Sequence, residues 1–527
     1  MQSSIKIVSN KYFLAVLSAL LFLLAWEPIG ITPLIFIAMV PLLHLHHISY
    51  KLGGWRYFAH LYFAFLLINI FITWWVWNST AWGAVTMLVL NSLFMTFPWM
   101  LFRFLHKIHS YRLALIGLVL FWISYEHVHH RWDLSWPWLS FGNVFSGLPS
   151  FVQWYEFTGI FGGTLLVLLI NIFLYTGIRQ RNSFYFYLSS GVLTILFAWS
   201  AFLSNPARFP ATGNINITCL QPNYDAYTEK FTLPPSQMMR EMLQLSDSSI
   251  TDSTEIMLWP ETALVDNIDI DEPMIDYQIQ MLRNWKSKHP KLSLFVGADG
   301  QKIYQNTIKK PEPAARKYSS SHSNLWYVLY NSSFMLSGDS VSQYHKSKLV
   351  PGTEIMPFIS YLPFLEELAV GLDENSTTGT LGTSNNYNPI NFEQHSLVPA
   401  ICYESIYGQH LARFVRNGAQ FIAIITNDAW WGNTPGYKQH FSYARLRAIE
   451  NRKWVARSAN TGISGFINSK GEVVQQSEYD TKTALSQRIE INETSTFYTR
   501  HGDFIGRAAL FSALLLLILL PTGRIPK

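Results

Sequence analysis

The sequence predicts a polytopic α-helical membrane domain of about eight transmembrane helices and an extracytoplasmic α/β domain. A chain of 527 residues is too long for one ordinary domain, and a hydrophobic fraction of 49% is too high for a purely soluble one. Apolar runs of roughly 20 residues fill residues 1–203 and return once near the C-terminus. Residues 204–503 instead alternate short β-like runs with helix-length segments such as Gln439–Ala456, a pattern typical of a layered α/β domain.

Seven apolar runs precede the polar region and one follows it. The first run lacks the small-residue cleavage site of a signal peptide, so we expect it to remain as a membrane helix. We predict an N-terminal transmembrane domain of seven helices at residues 1–203, and a C-terminal transmembrane helix with a cytoplasmic tail at residues 504–527. The runs are Tyr12–Trp26, Ile31–Leu45, Tyr57–Trp77, Ala81–Phe102, Leu113–Tyr125, Phe161–Ile178, Phe184–Leu203 and Phe504–Leu520.

Basic residues indicate which loops face the cytoplasm. They cluster at both termini and in alternate short loops, and the cytoplasmic side of a membrane protein carries the excess of lysine and arginine. We therefore expect both termini in the cytoplasm, and residues 204–503, which follow an odd number of spans, on the opposite side. The residues concerned are Lys6, Lys11, Lys51, Arg56, Arg103, Lys107, Arg112, Arg179, Arg181, Arg524 and Lys527.

Charge and cysteine content exclude other classes of protein. A formal net charge of +5 is small for this length and gives no reason to expect a nucleic-acid partner. The 2 cysteines, Cys219 and Cys402, allow at most one disulfide, and we expect both thiols to be free because a disulfide would silence a reactive Cys402. Glu126–His130 (EHVHH) holds potential metal ligands, but no partner segment has a metal-type repeat, so no metal site is expected.

Three predicted strands end on residues that can carry chemistry, namely Glu261 after Pro260, Lys346, and Cys402. Taken singly, each has an ordinary explanation, as a solvated loop glutamate, a surface lysine and an inert buried thiol. Together they form a reactive set, because a nearby ammonium lowers the pKa of a thiol and a carboxylate accepts its proton. Working residues commonly follow the carboxyl ends of strands in open α/β sheets. The pattern predicts that the three meet, with Cys402 as the nucleophile.

Four segments resemble, in the same order along the chain, the signatures of the nitrilase superfamily, whose members use a Glu-Lys-Cys triad. They are Trp259–Thr262 (WPET), Tyr344–Glu354 (YHKSKLVPGTE), Ile401–Glu404 (ICYE) and Thr426–Gly432 (TNDAWWG). Four others resemble the membrane-embedded branch of that superfamily, which acylates bacterial lipoproteins. They are Leu134–Gly142 (LSWPWLSFG), Gln221–Asn223 (QPN), Tyr330–Ser332 (YNS) and Thr496–Asp503 (TFYTRHGD). The resemblance covers nearly the whole chain, membrane spans included.

The resemblance assigns a role to each member of the triad. By it, Glu261 is the general base, Cys402 is the nucleophile, and Lys346 is the cation that stabilises the charged intermediates. Tyr403 and Glu404 match residues behind the cysteine that shape the pocket.

A second glutamate of the family matches Glu354, which would support the lysine and the oxyanion site. The loop that carries it departs from the family, because Pro351–Glu354 (PGTE) stands where Pro-Phe-Gly-Glu is usual, and Lys348 stands where histidine is common. The departure leaves the role of Glu354 open and leaves the triad intact.

Two segments are candidates for a substrate path. Trp430 and Trp431 either line a path for an acyl chain or pack in the core of a loop. Leu362 and Phe364 belong to the amphipathic segment Leu362–Leu372, which is either a lid that dips into the bilayer surface or an ordinary surface helix.

The resemblance implies a two-step acyl transfer at the bacterial inner membrane, by a four-layer αββα domain in the periplasm. A membrane phospholipid would acylate Cys402, and the α-amino group of the N-terminal diacylglyceryl-cysteine of an apolipoprotein would then take the acyl chain. No cofactor is implied, and we expect a monomer in the lipid bilayer. Two alternatives stay open, a membrane-tethered nitrilase-type amidase with water as the acceptor and a non-catalytic lipoprotein-binding protein. The intact triad argues against the second.

Overall fold

A computed structural model describes residues 10–230, 232–318, 324–358, 361 and 380–519. The chain folds into two compact units. The helical unit comprises Met1–Asn205, Thr434–Glu450 and His501–Lys527, and the sheet unit comprises Pro206–Asn433 and Asn451–Arg500. One helix from the middle of the predicted periplasmic domain thus groups with the helical unit. The three domains predicted at residues 1–203, 204–503 and 504–527 stay predictions.

Apolar helices make up most of the helical unit, and every predicted apolar run contains helix. Within the described residues, five helices are long and apolar enough to cross a membrane, and Lys11–Ala25 and Phe504–Leu519 are shorter apolar helices. The total of eight spans stays a prediction. The α-helices of this unit are Lys11–Ala25, Ile35–Ala38, Val40–Ser49, Gly54–Thr73, Ala81–Ile108, Tyr111–His129, Tyr155–Thr158, Ile160–Gln180, Phe184–Leu203, Pro435–Asn451 and Phe504–Leu519.

Polar residues fix where several of these helices begin. The Asn10 side chain accepts hydrogen bonds from the backbone N–H groups of Tyr12 at 3.0 Å and Phe13 at 3.3 Å. The Ser110 side chain accepts one from the N–H of Leu113 at 3.3 Å. N–H groups in the first turn of a helix have no partner within it, so these side chains satisfy them. Along the rest of each helix the backbone bonds to itself, which suits a hydrocarbon environment.

The segment Glu126–His130, which the sequence singled out for its potential ligands, takes part in hydrogen bonding within the helical unit. The Glu126 carboxylate accepts hydrogen bonds from Trp122 Nε1 at 2.9 Å, the N–H of Phe141 at 2.9 Å and Thr164 Oγ1 at 2.7 Å. Three donors satisfy a buried carboxylate that water cannot reach. Over the part of the chain that the structure describes, no group of three or more His, Cys, Asp or Glu side chains is arranged to hold a metal ion.

The described part of the sheet unit contains two β-sheets. Its strands are β1 Gly213–Gln221, β2 Ile256–Leu258, β3 Leu264–Asp269, β4 Ser293–Tyr304, β5 Arg316–Lys317, β6 Trp326–Ser337, β7 Ser340–His345, β8 Ile390–Phe392, β9 His395–Ile401, β10 Phe421–Thr426, β11 Val455–Ala459, β12 Gly465–Ile467, β13 Val473–Gln476 and β14 Thr483–Ile491. The first sheet has the order β14-β1-β2-β4-β6-β5, with β3 beside β4 and β7 beside β6. The second has the order β13-β12-β11-β10-β9-β8.

The two sheets meet along β1 and β11, where the Ser458 hydroxyl donates a hydrogen bond to the carbonyl of Leu220 at 2.7 Å. The helix Pro235–Ser249 contributes three buried methionines to the apolar core on the first sheet. The helices Tyr277–Lys286, Gly408–Arg416 and Phe497–His501 complete the α-helices of the unit. β1, β2 and β4 run parallel in the first sheet, and β9, β10 and β11 run parallel in the second. The residues that follow β2, β9 and β10 therefore lie at the carboxyl ends of parallel strands, where working residues are common.

One predicted helix is wrong in its C-terminal part. The sequence predicted a helix over Gln439–Ala456 and a basic helical face over Tyr443–Arg457, but the helix ends at Asn451 and β11 begins at Val455. Arg457 is fully buried and donates to the Asp428 carboxylate at 2.6 Å. The strand forms because β10 and β12 pair with it, and such tertiary pairing overrides local helix propensity.

Candidate active site

Glu261 follows the short buried strand β2, which Pro260 ends. The residue is 6% exposed. Its Oε1 accepts a hydrogen bond from Asn331 Nδ2 at 2.8 Å, and its Oε2 accepts one from the backbone N–H of Asn427 at 2.8 Å. Asn331 lies on β6 of the first sheet and Asn427 follows β10 of the second, so both sheets fix the orientation of the carboxylate.

Lys346 follows β7, and its backbone N–H donates to the carbonyl of Asn331 at 2.8 Å. Its Nζ lies 2.8 Å from Glu354 Oε1 and 3.4 Å from Glu261 Oε1, and the residue is 1% exposed. Burial lowers the pKa of Lys346, but the two carboxylates outweigh burial and raise the pKa above its usual value. Lys346 is therefore a permanent cation at neutral pH, shared between two glutamates.

Cys402 comes directly after β9 and begins the 3₁₀ helix Cys402–Ile406 with a left-handed φ of +51°. Strained backbone of this kind is common at functional sites, where it aims a side chain away from the strand. Burial raises the pKa of the thiol and Glu261 raises it further, whereas Lys346 and a hydrogen bond with Thr426 lower it. The net shift is upward, so the resting thiol is protonated and needs a base before it can attack.

Glu354 completes the cluster around Lys346. Its Oε1 also accepts a hydrogen bond from Asn331 Nδ2 at 3.2 Å, and its Oε2 accepts one from the backbone N–H of Val350 at 2.8 Å. The loop turns at Gly352, where φ is +84°, a conformation that glycine adopts without strain. The departure from the usual loop sequence thus leaves Glu354 bonded to the lysine.

These groups form an arrangement suited to acyl transfer. A carboxylate held by two donors, a buried ammonium and a thiol can together move a proton, stabilise an oxyanion and carry an acyl group. The sequence predicted that Glu261, Lys346 and Cys402 meet, and the structure brings them together in the sheet unit.

Known proteins are similar to this chain over almost all of its length. A family model described as "Apolipoprotein N-acyltransferase N-terminal domain" matches residues 18–173, and one described as "Carbon-nitrogen hydrolase" matches residues 316–498. An apolipoprotein N-acyltransferase of Chlorobaculum tepidum is 29% identical over 523 residues, which cover 96% of this chain and 95% of that relative. This chain is therefore similar to apolipoprotein N-acyltransferases over almost its whole length.

Other apolipoprotein N-acyltransferases match over almost their whole length. That of Geobacter metallireducens is 26% identical over 95% of this chain and 94% of its own, and that of Pasteurella multocida is 25% identical over 97% and 94%. A solved Saccharomyces cerevisiae structure, a member of branch 10 of the nitrilase superfamily, is 14% identical with a TM-score of 0.38, over 53% of this chain and 91% of its own. A carbon-nitrogen hydrolase of Helicobacter pylori is 13% identical with a TM-score of 0.35, over 60% and 95%.

The Glu404 carboxylate, which lies two residues after the candidate nucleophile, links the loop after β7 to the end of β9. Its Oε1 accepts hydrogen bonds from Tyr344 Oη at 2.7 Å and from the backbone N–H groups of Ser347 at 2.6 Å and Lys348 at 3.1 Å. Its Oε2 accepts one from the N–H of Ile401 at 2.9 Å. Glu404 therefore connects the loop that carries Lys346 to the strand that ends before Cys402, and a role in placing the two residues is a prediction.

We expect Glu404→Gln to destabilise the fold by about 1–3 kcal/mol, because the amide replaces one acceptor oxygen by a donor that faces buried N–H groups. Burial raises the pKa of Glu404, but His410, the N–H of Ile401 and Tyr344 outweigh burial and hold its pKa below the usual value. A depressed pKa adds stability above the unfolded value, and this stability is lost as pH falls through the folded value. Unfolding measured against pH should therefore show the difference between the two proteins at neutral pH and little of it in acid.

Acylation of Cys402 by the Glu404→Gln protein should also slow, by about tenfold, because the Lys346 loop is no longer held. Glu255→Gln is the matched control, since Glu255 accepts a hydrogen bond from a backbone N–H, that of Asn216 at 2.9 Å, and has a partly exposed side chain. It should leave acylation unchanged. Equal rates for the wild-type and Glu404→Gln proteins would contradict the positioning role.

The remaining predicted residues are less closely tied to the chemistry. Tyr403 is 2% exposed and packs edge-to-face on Tyr407, with ring centroids 5.4 Å apart. Trp430 is partly buried and packs edge-to-face on Tyr227 at 5.5 Å, and Trp431 is also partly buried. Leu362 and Phe364, and the segment to Leu372, lie outside the described residues. The substrate path stays a prediction.

Asn331, Asn427 and Lys230 were not predicted as site residues. Asn331 binds both glutamates through one amide, and Asn427 presents a backbone N–H to Glu261. Asn331 lies in the YNS segment and Asn427 in the TNDAWWG segment, so the resemblance carried the only available signal for them. Lys230 carried no signal, because it lies in a polar stretch beside other charged residues.

Proposed function

We propose that this protein is an apolipoprotein N-acyltransferase that moves a fatty acyl chain from a membrane phospholipid, through a Cys402 thioester, to the N-terminal amine of a lipoprotein. The observation that carries the proposal is the buried Lys346 cation shared by Glu261 and Glu354 next to Cys402. It occurs in a chain that also has apolar helices of membrane-spanning length and full-length relatives named for this activity.

In the first step Glu261 takes the proton from Cys402 Sγ, and the thiolate attacks the sn-1 ester carbonyl of the phospholipid. Lys346 stabilises the negative charge on the carbonyl oxygen, an interaction commonly worth about 2.7–4 kcal/mol for one donor. The ester C–O bond then breaks, and Glu261 returns its proton to the leaving oxygen. The products are a lysophospholipid and an acyl thioester on Cys402.

In the second step the α-amino group of a diacylglyceryl-cysteine attacks the thioester carbonyl. Glu261 accepts the proton of the amine as the C–N bond forms, and Lys346 again stabilises the oxyanion. The C–S bond breaks, and the thiolate recovers its proton from Glu261. One carboxylate can serve both half-reactions because its proton is taken up and returned in each.

The membrane setting follows from the two substrates, which are both lipids. The proposal includes eight spans, cytoplasmic termini, and a periplasmic catalytic domain with a four-layer αββα architecture, in the inner membrane of a bacterium. The distribution of lysine and arginine supports the orientation. A site tethered at the bilayer avoids moving an acyl chain through water, which costs about 0.8 kcal/mol per CH₂.

Mass spectrometry of the intact protein after incubation with a phospholipid of defined acyl chains tests the proposal. We expect the mass to rise by one acyl group, located on Cys402 by peptide mapping, because the thioester waits for the second substrate. A diacylglyceryl-cysteine peptide should then discharge the adduct and gain the acyl chain. An adduct on another residue would contradict the mechanism. Discharge to free fatty acid at the same rate with and without the peptide would identify a membrane-tethered amidase.

A further inference from the structure

A second lysine is buried behind the candidate site, and neither half-reaction uses it. Lys230 is 1% exposed, and its Nζ donates a hydrogen bond to the backbone carbonyl of Glu261 at 2.8 Å. A long flexible cation loses several rotatable states and most of its hydration when it is buried, so its place needs a compensating interaction. The hydrogen bond from Lys230 Nζ to the carbonyl of the Glu261–Thr262 peptide is that interaction.

The peptide that Lys230 binds is a strained one. Thr262, the next residue, has a φ of +47°, which is a rare conformation for a β-branched residue. On the side of β4, a Cβ added at Gly297 would lie 2.5 Å from the carbonyl oxygen of Pro260 and 2.7 Å from Glu261 Cα. The turn from Pro260 to Thr262 is therefore in close contact with β4, and the ammonium of Lys230 binds the Glu261 carbonyl within this turn.

The charges around Lys230 also favour its hydrogen bond to the carbonyl of Glu261. Burial outweighs the attraction of Glu261, Asp299 and Cys402 and lowers the pKa of Lys230 to about 8. Burial raises the pKa of Asp299 to about 6, against the attraction of Lys230. Asp299 on β4 is paired in register with Asn331 on β6, which binds the Glu261 carboxylate. At neutral pH the Lys230 ammonium is thus attracted by the Asp299 carboxylate while it donates to the carbonyl of the candidate base.

We propose that Lys230 is a positioning residue for the acylation of Cys402, which holds the strained peptide between Glu261 and Thr262 and so aims the Glu261 carboxylate at the thiol. The proposal rests on the assignment of Glu261 as the general base in the proposed function. Lys230 donates to the backbone carbonyl of Glu261 and acts through Glu261 alone.

The test is the pre-steady-state burst of p-nitrophenolate when the full-length protein in detergent reacts with p-nitrophenyl butyrate. This ester acylates a reactive cysteine without needing a phospholipid. Lys230→Met keeps the length of the side chain and removes its charge and donor. We expect the acylation rate constant to fall by about 10- to 100-fold, because small displacements of a catalytic group have effects of this size. The ester concentration that gives half the maximal rate should change by less than about twofold.

A double-mutant cycle separates positioning from general damage. Glu261→Gln removes the base, and Lys230→Met added to it should lower the rate by less than about a further twofold, because Lys230 acts only through Glu261. Additive losses in the double variant would overturn the proposal, and so would a Lys230→Met rate equal to the wild-type rate.

Lys453→Met is the matched control for the loss of a buried lysine. Lys453 is also 1% exposed, and it also donates to backbone carbonyl groups, including that of Thr494 at 3.0 Å. It should lower the thermal midpoint of unfolding and leave the burst rate constant of the folded protein unchanged. If both lysine variants lose the same fraction of the burst rate, the effect at Lys230 is structural and the proposal fails.

Failure of the proposed function gives a different result. A wild-type burst on Cys402 from the ester, with no acyl adduct from phospholipid, would overturn the lipid substrate while the cycle still decides the role of Lys230. No burst from the folded wild-type protein would overturn both, because there would be no acylation for Lys230 to support.

Discussion

Cys402→Ala should abolish acyl transfer, with a loss of at least about 10⁴-fold, because the substitution removes the atom that carries the acyl group. Cys402→Ser should fail in the same way, since a hydroxyl is far harder to deprotonate than a thiol at the same place. The measurement is acyl transfer from phospholipid to a diacylglyceryl-cysteine peptide, with the mass of the intact protein recorded in parallel. Both variants should lack the acyl adduct.

The fold should survive these substitutions. Cys402 has a left-handed φ of +51° in the wild-type protein, and alanine or serine bears the same backbone strain as cysteine. The matched control is Cys219→Ala, which removes the other thiol of the chain. Cys219 lies on β1, is fully buried, and burial raises the pKa of its thiol, so it should not be acylated. Activity that persists in Cys402→Ala and disappears in Cys219→Ala would reverse the assignment.

The sequence predicted the three strand ends because each has a local signal. An apolar run leads to Glu261, another to Cys402, and the run before Lys346 stops at a polar stretch. The Asn331 amide has no comparable signal, because it lies in the middle of β6 and its role depends on Glu261 and Glu354, which are distant in sequence. Patterns along the chain predict where strands end, and they do not predict which side chains meet across strands.

The apolar helices also make side-chain contacts that patterns along the chain do not predict. The run Ile31–Leu45 was predicted as one helix, but the structure has a 3₁₀ turn at Thr32–Leu34, a helix that ends at Ala38, and a new helix from Val40. Asn171, from another helix of the unit, donates to the carbonyl of Ile35 and accepts from the N–H of Met39. Backbone groups freed in an apolar setting need such partners, and nothing in the run itself reveals them.

Lys346→Met should lower the acylation rate by about 10²–10³-fold, the loss typical of one oxyanion donor, and should also destabilise the protein. The loss of stability has a local cause. Glu261 and Glu354 share the Lys346 ammonium at 3.4 Å and 2.8 Å and the amide of Asn331, so without the cation a buried and a partly buried carboxylate face each other. Removing one partner of a buried ion pair commonly costs about 3–5 kcal/mol.

The contribution of Lys346 to the stability of the fold depends on pH with a definite sign. The pKa of Lys346 is raised by the two glutamates after burial has lowered it, so its contribution to stability is fully present below the unfolded value of roughly 10.4 and is lost only as pH rises through the folded value. Lys346→Met removes the titrating ammonium, so the stability of the wild-type protein should fall towards that of the variant only at strongly alkaline pH. Chemical unfolding of both proteins between neutral and alkaline pH measures the difference.

A second substitution separates stability from catalysis. Lys346→Met combined with Glu354→Gln removes one of the facing charges, so it should regain most of the lost stability and leave acylation as slow as in Lys346→Met. Glu354→Gln alone is the control, and it should keep part of the activity because Lys346 still has Glu261 at 3.4 Å. If the double variant recovers the acylation rate together with the stability, the ammonium only neutralises charge in the folded protein, and the oxyanion must be stabilised by other donors.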